Sequence, residues 1–568
     1  MRKSSFAPGF LFVVLALALP ALIIAQQNRS ARRATNPDRS ASANTPGSRT
    51  DPSAPAIKSD LSEALAVIQT NHIDGRNLDY NSIFKSSITG MLSVLDPHST
   101  YFDPIEYASF RTEQRSEYFG IGATIEDLRE GSDVNTFIRA TFPDSPAARA
   151  GLRFGDRILA VDGNSMKGKT YPEVRKFLLG SRGTTVKVTV EHPATKQQET
   201  VNIIRDAVSL PSIAQAYMLK PGVGYVAMTG GFNLTTDDEF GEALKQLHSK
   251  GMNMLVLDLR GNRGGLLIQA VRVANRFLQR GQMIVTQKGR IKDSTQPYAA
   301  VNENPDNVPV VVLVNGDTAS AAEIVAGALQ DHDRAFIVGE TTFGKGLVQF
   351  PFQLDYDSAL LLTIAKYYTP SGRLIQRDYS GGGNYSYYFP GGLAADKGNQ
   401  TTPQQTGPQT HTDTGRAVYG GGGISPDETV KPGTINAAER HLRDILFAFS
   451  LELVTGRVPG FESYKVQRAI EFDHDLASED FPITDPLFKE LKKFAASKAI
   501  FKVTPDQLDK SRTFAERQLR YNVLSAAYGY RTATQVFNDG DPQISKAVDA
   551  MPRARELALA ASRARARG

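Results

Sequence analysis

The sequence predicts a multidomain α/β protein, with an α/β core, a smaller mostly-β module ahead of it and helical segments at both ends. Three observations carry this reading. A chain of 568 residues with 41% hydrophobic content exceeds what one hydrophobic core normally spans, and it can fill several. Apolar runs at 223–228, 254–259 and 310–314 read as buried strands, and they alternate with amphipathic helical stretches such as 238–247, the pattern of crossover units. Turn-rich strand segments fill 116–206, whereas the sequence from 436 onward is mainly helical, with Leu446, Phe447, Phe449 and Leu451 close together.

Arg2 and Lys3 precede an apolar run at 10–24, then Ala25 and Gln26-Gln27, which is a secretory signal pattern with cleavage expected after Ala25. An uncleaved anchor is the alternative, but the run is shorter than the ~20 residues of a membrane span and Pro20 interrupts it. Export across the inner membrane to the periplasm is therefore the expectation. Residues 26–56 are rich in Ser, Ala, Asn, Pro and Arg without apolar periodicity, as a disordered linker is. Five arginines (Arg29, Arg32, Arg33, Arg39, Arg49) against Asp38 and Asp51 suit contact with an anionic membrane surface, as does the basic tail at 553–567. No aromatic residues interleave with these arginines, so nucleic acid is not an expected partner. From 57 to 115, Leu61, Leu65, Ile68, Ile83, Ile88, Met91 and Leu92 suggest a small helical unit that supports the next module or pairs with a second copy in a homo-oligomer. Residues 379–412, rich in Gly, Asn, Gln and Thr, read as a surface insertion. Totals of 65 basic and 60 acidic residues are too even to dictate a partner, and zero cysteines exclude disulfides, a thiol nucleophile and a lipoprotein anchor.

The chemistry concentrates in the core, at 207–435. Ser320 stands in Asp317-Thr318-Ala319-Ser320-Ala321-Ala322-Glu323, just after Val310-Val311-Val312-Leu313-Val314. Asp317 or Thr318 is expected to cap a helix there, leaving Ser320 at a helix N-terminus, where unpaired N–H groups and the helix dipole would stabilise an oxyanion. A serine hydroxyl needs a neighbour to take its proton, and a neutral lysine amine is one of few groups that can. Lys345 is the candidate base, in Gly344-Lys345-Gly346-Leu347-Val348-Gln349. At an ordinary pKa near ~10.4 only about four lysines in ten thousand are neutral at pH 7, so burial must lower it by roughly two units. Phe343, Leu347, Val348 and Phe350 are expected to supply apolar bulk, and Gln349 to orient the amine without adding charge.

These runs resemble the C-terminal processing peptidases, or tail-specific proteases. That family has its serine in a Thr-Ala-Ser-Ala-Ser-Glu type run and its lysine and glutamine in Gly-Lys-Gly-x-Val-Gln, matching Ser320, Lys345 and Gln349. Similar stretches are Leu95-Asp96-Pro97-His98-Ser99-Thr100-Tyr101, Asp258-Leu259-Arg260-Gly261-Asn262-Arg263-Gly264-Gly265 and Tyr367-Tyr368-Thr369-Pro370-Ser371-Gly372-Arg373, in the family's order over about 60–430. Ala322 and Arg263 depart from its usual Ser and Pro. The resemblance implies a crotonase/ClpP-like α/β peptidase core and a serine endopeptidase without metal or other cofactor. It also implies oxyanion donors at Ala321 and at Gly264 or Gly265, between which the sequence does not choose.

The β module resembles a PDZ domain, through Phe119-Gly120-Ile121-Gly122, Asp144-Ser145-Pro146-Ala147-Ala148-Arg149-Ala150-Gly151-Leu152, Gly155-Asp156-Arg157-Ile158-Leu159-Ala160-Val161-Asp162-Gly163 and a helix at 172–179. Such a module takes a chain terminus as an added strand, with backbone N–H groups cradling the carboxylate; Phe119, Gly120, Ile121 and Gly122 are the expected cradle. The implied partners are proteins with flexible, apolar C-terminal tails.

Rival readings exist. Ser320 alone would more often be a helix cap and Lys345 a solvated turn residue, giving a non-catalytic peptide-binding scaffold. A crotonase-like acyl-group enzyme is a third reading, against which the PDZ-like region speaks. Of the histidines, His332 between Asp331 and Asp333 reads as part of a solvated loop, and His98 as part of a structural turn. No His-Glu-x-x-His or Cys pair offers zinc spacing.

Overall fold

In a computed structural model, residues 53–380, 387–388, 407–466 and 469–566 are described. The expected signal segment, nearly all of the basic linker and most of the 379–412 insertion lie outside the described residues. Among the described residues no helix is long and apolar enough to cross a membrane.

The chain divides into two compact units at Leu95. The earlier unit contains two helices, Ala54–Asn71 and Tyr80–Ser93, the second started by the Asp79 carboxylate accepting from Ser82 N–H at 3.2 Å. The helical reading of this stretch is therefore met, but its apolar residues make little core of their own. Leu61, Ile68 and Met91 are exposed, and Leu92 is buried. In the remainder of the span 57–115, Thr100–Phe102 is a strand paired with 359–361, with the adjacent Tyr101 and Phe102 both buried in the later unit, and Pro104–Glu113 is again a helix.

In that unit a mostly-β module comes first. Strands Ala123–Glu130, Asp133–Thr141, Arg157–Val161, Thr185–Glu191 and Gln198–Ile204 form an antiparallel sheet in sequence order. Alternation in Thr185–Glu191 sends Val186, Val188 and Val190 inward, onto a core that includes Ile138, Leu152 and Val174. A second short ladder, Glu117–Gly120 against Asp206–Ser209, closes the two ends of the module.

The core sheet has six strands in the order Gln215–Lys220, Val223–Ala227, Met254–Asp258, Val310–Val314, Ala335–Gly339 and Glu428–Thr429. All neighbours are parallel except the first pair. Parallel strands covered on both faces carry continuous apolar runs, and Val310–Val314 is wholly buried. Because 254–258, 310–314 and 335–339 are adjacent and parallel, the loops that follow them leave at one edge of the sheet. A second sheet of five strands includes Leu347–Gln353 and Ala359–Tyr368.

The C-terminal region is helical, as expected. Phe447, Phe449 and Leu451 on helix Arg443–Val454 are buried in one cluster with Leu487 and Leu519, joined by Leu128, Phe137 and Phe154 of the β module. The 331–333 stretch corrects an expectation. Asp331, His332 and Asp333 are buried, because each has a fixed partner: Arg373 for Asp331, Arg416 for Asp333, and Asp413 with the Met283 carbonyl for His332.

Candidate active site

The loop after each of the three adjacent parallel strands brings one part of the site. After 310–314 the chain turns through Asn315 and Thr318 into helix Ala321–Asp331, every residue of which is buried. Ser320 occupies the cap position, not Asp317 or Thr318. Thr318 Oγ1 is used otherwise, donating to the Leu259 carbonyl at 2.9 Å and accepting from Asn315 N–H at 3.0 Å. Ser320 has φ 56° and ψ −117°, a conformation that costs a non-glycine residue of order 1–3 kcal/mol and persists only where the surroundings impose it. The first-turn N–H groups of Glu323 and Ile324 go to the Ser320 carbonyl, at 2.8 and 3.1 Å.

Glu323 is the imposing group. Its buried carboxylate accepts from Ser320 N–H at 2.8 Å, Gly344 N–H at 2.7 Å, Lys345 N–H at 2.9 Å and the Thr342 hydroxyl at 2.5 Å. One side chain therefore clasps the serine turn to the lysine loop. Burial pushes its pKa up to about 7, against the opposing effect of those four donors. Tyr367 adds a second clasp, its buried hydroxyl lying 3.0 Å from the Ser320 carbonyl and also bonded to the Lys345 carbonyl.

Lys345 Nζ donates to Gln349 Oε1 at 2.7 Å, and Gln349 Nε2 donates to the His98 carbonyl, so the amide's orientation is set from both ends. The Asp96–Ser99 turn supplies that carbonyl: Asp96 Oδ1 accepts from His98 and Ser99 N–H, each at 2.8 Å. Burial lowers the Lys345 pKa to about 8, and the nearby Asp96 and Glu323 carboxylates oppose the fall. His98 is held neutral, pushed down to about 3 by burial and by Lys345. Its Nε2 meets Tyr387 Oη at 2.8 Å. Phe350 does not shelter the amine as expected, being 51% exposed. Successive strand side chains alternate, so with Gln349 turned to Lys345 its neighbour points away.

The loop after 254–258 lies against the serine. A Cβ on Gly264 would fall 2.7 Å from Ser320 Cβ and 2.9 Å from Ala321 N, so only glycine fits there, at φ 92°. Gly264 N–H donates to Asn262 Oδ1 at 2.9 Å, and Asn262, fully buried, donates to the Met228 carbonyl and accepts Ala319 N–H at 2.9 Å through its own carbonyl. Gly265 backs onto Phe232, whose carbonyl would be 2.2 Å from an added Cβ. Among the described residues no hydrogen bond uses the N–H of Gly265 or Ala321. Arg263 is exposed beside Asp317. Among the described residues no cluster of His, Cys, Asp and Glu could hold a metal.

In the β module, Phe119 and Gly120 lie in the closing ladder opposite Ala207 and Asp206, while Ile121 and Gly122 turn the chain into Ala123–Glu130. Ile121 and Gly122 carbonyls accept from Ala147 and Phe142 N–H. Among the described residues strand Ala123–Glu130 has a partner on one side only, and helix Tyr171–Leu178 starts beside it, Tyr171 N–H donating to Asp127 Oδ1 at 2.7 Å.

Glu323, Tyr367 and Asn262 lie inside the family-like motifs, but their roles depend on partners distant in sequence. Their signal is chemical: a Glu three residues after a serine at a helix start, and a Tyr two residues before Thr369-Pro370.

Residues 222–381 match the model of peptidase family S41, and 137–192 that of the PDZ domain. The carboxy-terminal-processing protease of Bartonella bacilliformis is 38% identical over 304 residues, 52% of this chain and 68% of that one. The carboxyl-terminal-processing protease of a Picosynechococcus species is 37% identical over 283 residues, 49% of this chain and 67% of its own length. A solved photosystem II D1 C-terminal processing protease is 33% identical, covering 52% of this chain and 79% of its own, with a TM-score of 0.31. The two family models and the two relatives define a serine protease with a PDZ domain. The chain belongs to the carboxy-terminal-processing proteases of peptidase family S41.

Proposed function

We propose that this protein is an endopeptidase that captures a protein's C-terminal tail in its PDZ domain and cleaves the chain with a Ser320–Lys345 dyad. One observation carries the reading: the Glu323 carboxylate holds both Ser320 N–H and Lys345 N–H, at 2.8 and 2.9 Å, beside a lysine whose pKa burial has brought down to about 8. At such a pKa about one lysine in ten is neutral at pH 7, against about four in ten thousand at the ordinary value.

Lys345 takes the Ser320 Oγ proton as Oγ bonds to the peptide carbonyl carbon, and the C=O π pair becomes the oxyanion. When that pair returns, the C–N bond breaks, and Lys345 delivers the proton to the leaving amine. Water then adds to the acyl ester, its proton passing through Lys345 to Ser320 Oγ as the acid leaves. Gln349 aims the amine. Gly264 N–H is already given to Asn262, so the oxyanion donors are Gly265 and Ala321 N–H.

The tail adds as a strand on the free edge of Ala123–Glu130, facing helix Tyr171–Leu178, with Ile121 and Gly122 at its carboxylate. The 1–25 pattern supports export to the periplasm with processing after Ala25, which N-terminal sequencing of the mature protein would test.

The deciding assay incubates the purified chain with an unfolded protein bearing an apolar C-terminus, beside Ser320→Ala and Lys345→Ala variants. Cleavage by the parent and loss in both variants is expected. Cleavage that survives in either variant overturns the dyad, and tail binding without cleavage in the parent favours the scaffold reading.

A further inference from the structure

We propose that Asp541 and Gln543, at the start of helix Pro542–Asp549 in the C-terminal region, are positioning residues for the oxyanion loop and act through Arg260. This role rests on the reading above that Gly265 and Ala321 hold the oxyanion.

Arg260 opens the loop that carries Asn262, Gly264 and Gly265, and its side chain is only 17% exposed. One end of its guanidinium is taken by Asp258, with Nε 2.9 and 3.0 Å from the two carboxylate oxygens and Nη2 2.5 Å from Oδ2. Asp258 is itself fixed by the Tyr225 hydroxyl at 2.8 Å. The other end, Nη1, donates to Asp541 Oδ2 at 2.8 Å and Gln543 Oε1 at 2.7 Å. Both acceptors are anchored. Asp541 Oδ1 accepts from Gln543 and Ile544 N–H at 2.8 and 3.1 Å, and Gln543 Nε2 donates to the Val430 carbonyl at 2.7 Å. The arginine is thus gripped at both ends of its planar fork, by the sheet and by a helix far away in sequence.

The loop has no slack to absorb a loosened Arg260, because Gly264 already lies as close to Ser320 and Ala321 as glycine permits. Displacement on the ångström scale costs about 10²-fold in rate, comparable with deleting an oxyanion donor. Neither Asp541 nor Gln543 hydrogen-bonds to Ser320, Lys345 or Gln349, so their influence runs through the loop.

The test is Asp541→Asn, which retains a capping oxygen but sets an amide N–H against Arg260 or against the helix start. A second variant, Asp541→Ser, keeps a cap and cannot reach Arg260, which guards against one variant misfolding. Turnover of an apolar-tailed peptide is measured together with inhibition by the aldehyde of a short apolar peptide. The aldehyde carbon bonds to Ser320 Oγ, the Oγ proton passes to Lys345, and the carbonyl oxygen takes the oxyanion position. Expected are a fall in kcat of about tenfold, KM within about twofold, and an aldehyde inhibition constant raised by the same tenfold as kcat falls. In an Arg260→Gln background, Asp541→Asn should add nothing. Unchanged kcat and aldehyde affinity, or an undiminished effect in the Arg260→Gln background, overturns the assignment while leaving the oxyanion reading intact. An aldehyde that binds Ser320→Ala as well as the parent removes the oxyanion reading, and this role with it.

Discussion

The proposed base, Lys345, can work only when uncharged, and burial has brought its pKa down to about 8. The neutral form grows about tenfold per pH unit below that value, so kcat/KM should rise from pH 7 to a plateau above about 8. Glu323 titrates near 7 and can accept four donors only as the carboxylate, so the same profile should steepen beyond first order below pH 7. A profile that is flat between pH 6 and 8 contradicts the lysine base. Gln349→Glu would place a carboxylate where Oε1 stands 2.7 Å from Nζ, favour the ammonium, and move the midpoint up by about one to two units. Glu323→Gln offers one oxygen and an opposing NH₂ to four donors; urea unfolding should show a loss of about 3 kcal/mol. Ser320, Lys345 and Gln349 could be nominated from the sequence because the chemistry proposed for them is local. Glu323 was not, since its donors at 342, 344 and 345 come close only after folding.

At the scale of elements, three adjacent parallel strands assemble the site by sending their following loops to one edge of the sheet. The serine turn and the glycine loop then meet with no spare volume. Gly264→Ala would put a methyl 2.7 Å from Ser320 Cβ at φ 92°, and kcat should fall by about 10²-fold or more while tail binding to the PDZ domain stays intact, as peptide titration would report. Adjacent identical letters could not separate Gly264 from Gly265; in the fold the Gly264 N–H is given to Asn262 Oδ1, which is why Gly265 is the proposed donor. Likewise the periodicity that marked 57–115 as helical could not say that Leu61 and Met91 would find no cover within their own unit.

At the scale of the whole later unit, the C-terminal helices join the PDZ domain to the core. Arg139 of the PDZ sheet lies within 5.4, 5.1 and 4.7 Å of the Phe154, Phe447 and Tyr521 rings, pairs with Glu126 at 3.1 Å and bonds Asn522. Arg139→Ala empties that buried seat and should cost about 3 kcal/mol or more, and limited proteolysis should then cut faster between the PDZ strands and 512–533. Unaltered proteolysis would mean that the apolar cluster around Phe447 holds the PDZ domain without the arginine.

Neighbouring residues alone set the order of the modules and the strand–loop–helix unit that presents Ser320, and they nominate the proposed pair, because strand and helix periodicities and the candidate nucleophile and base are written locally. Tertiary structure alone decided which amide is left for the oxyanion, which carboxylate aligns the pair, and that residues 541 and 543 reach Arg260. Those outcomes depend on satisfying buried donors and acceptors across long sequence separations, and such pairings exist only once the chain has closed around them.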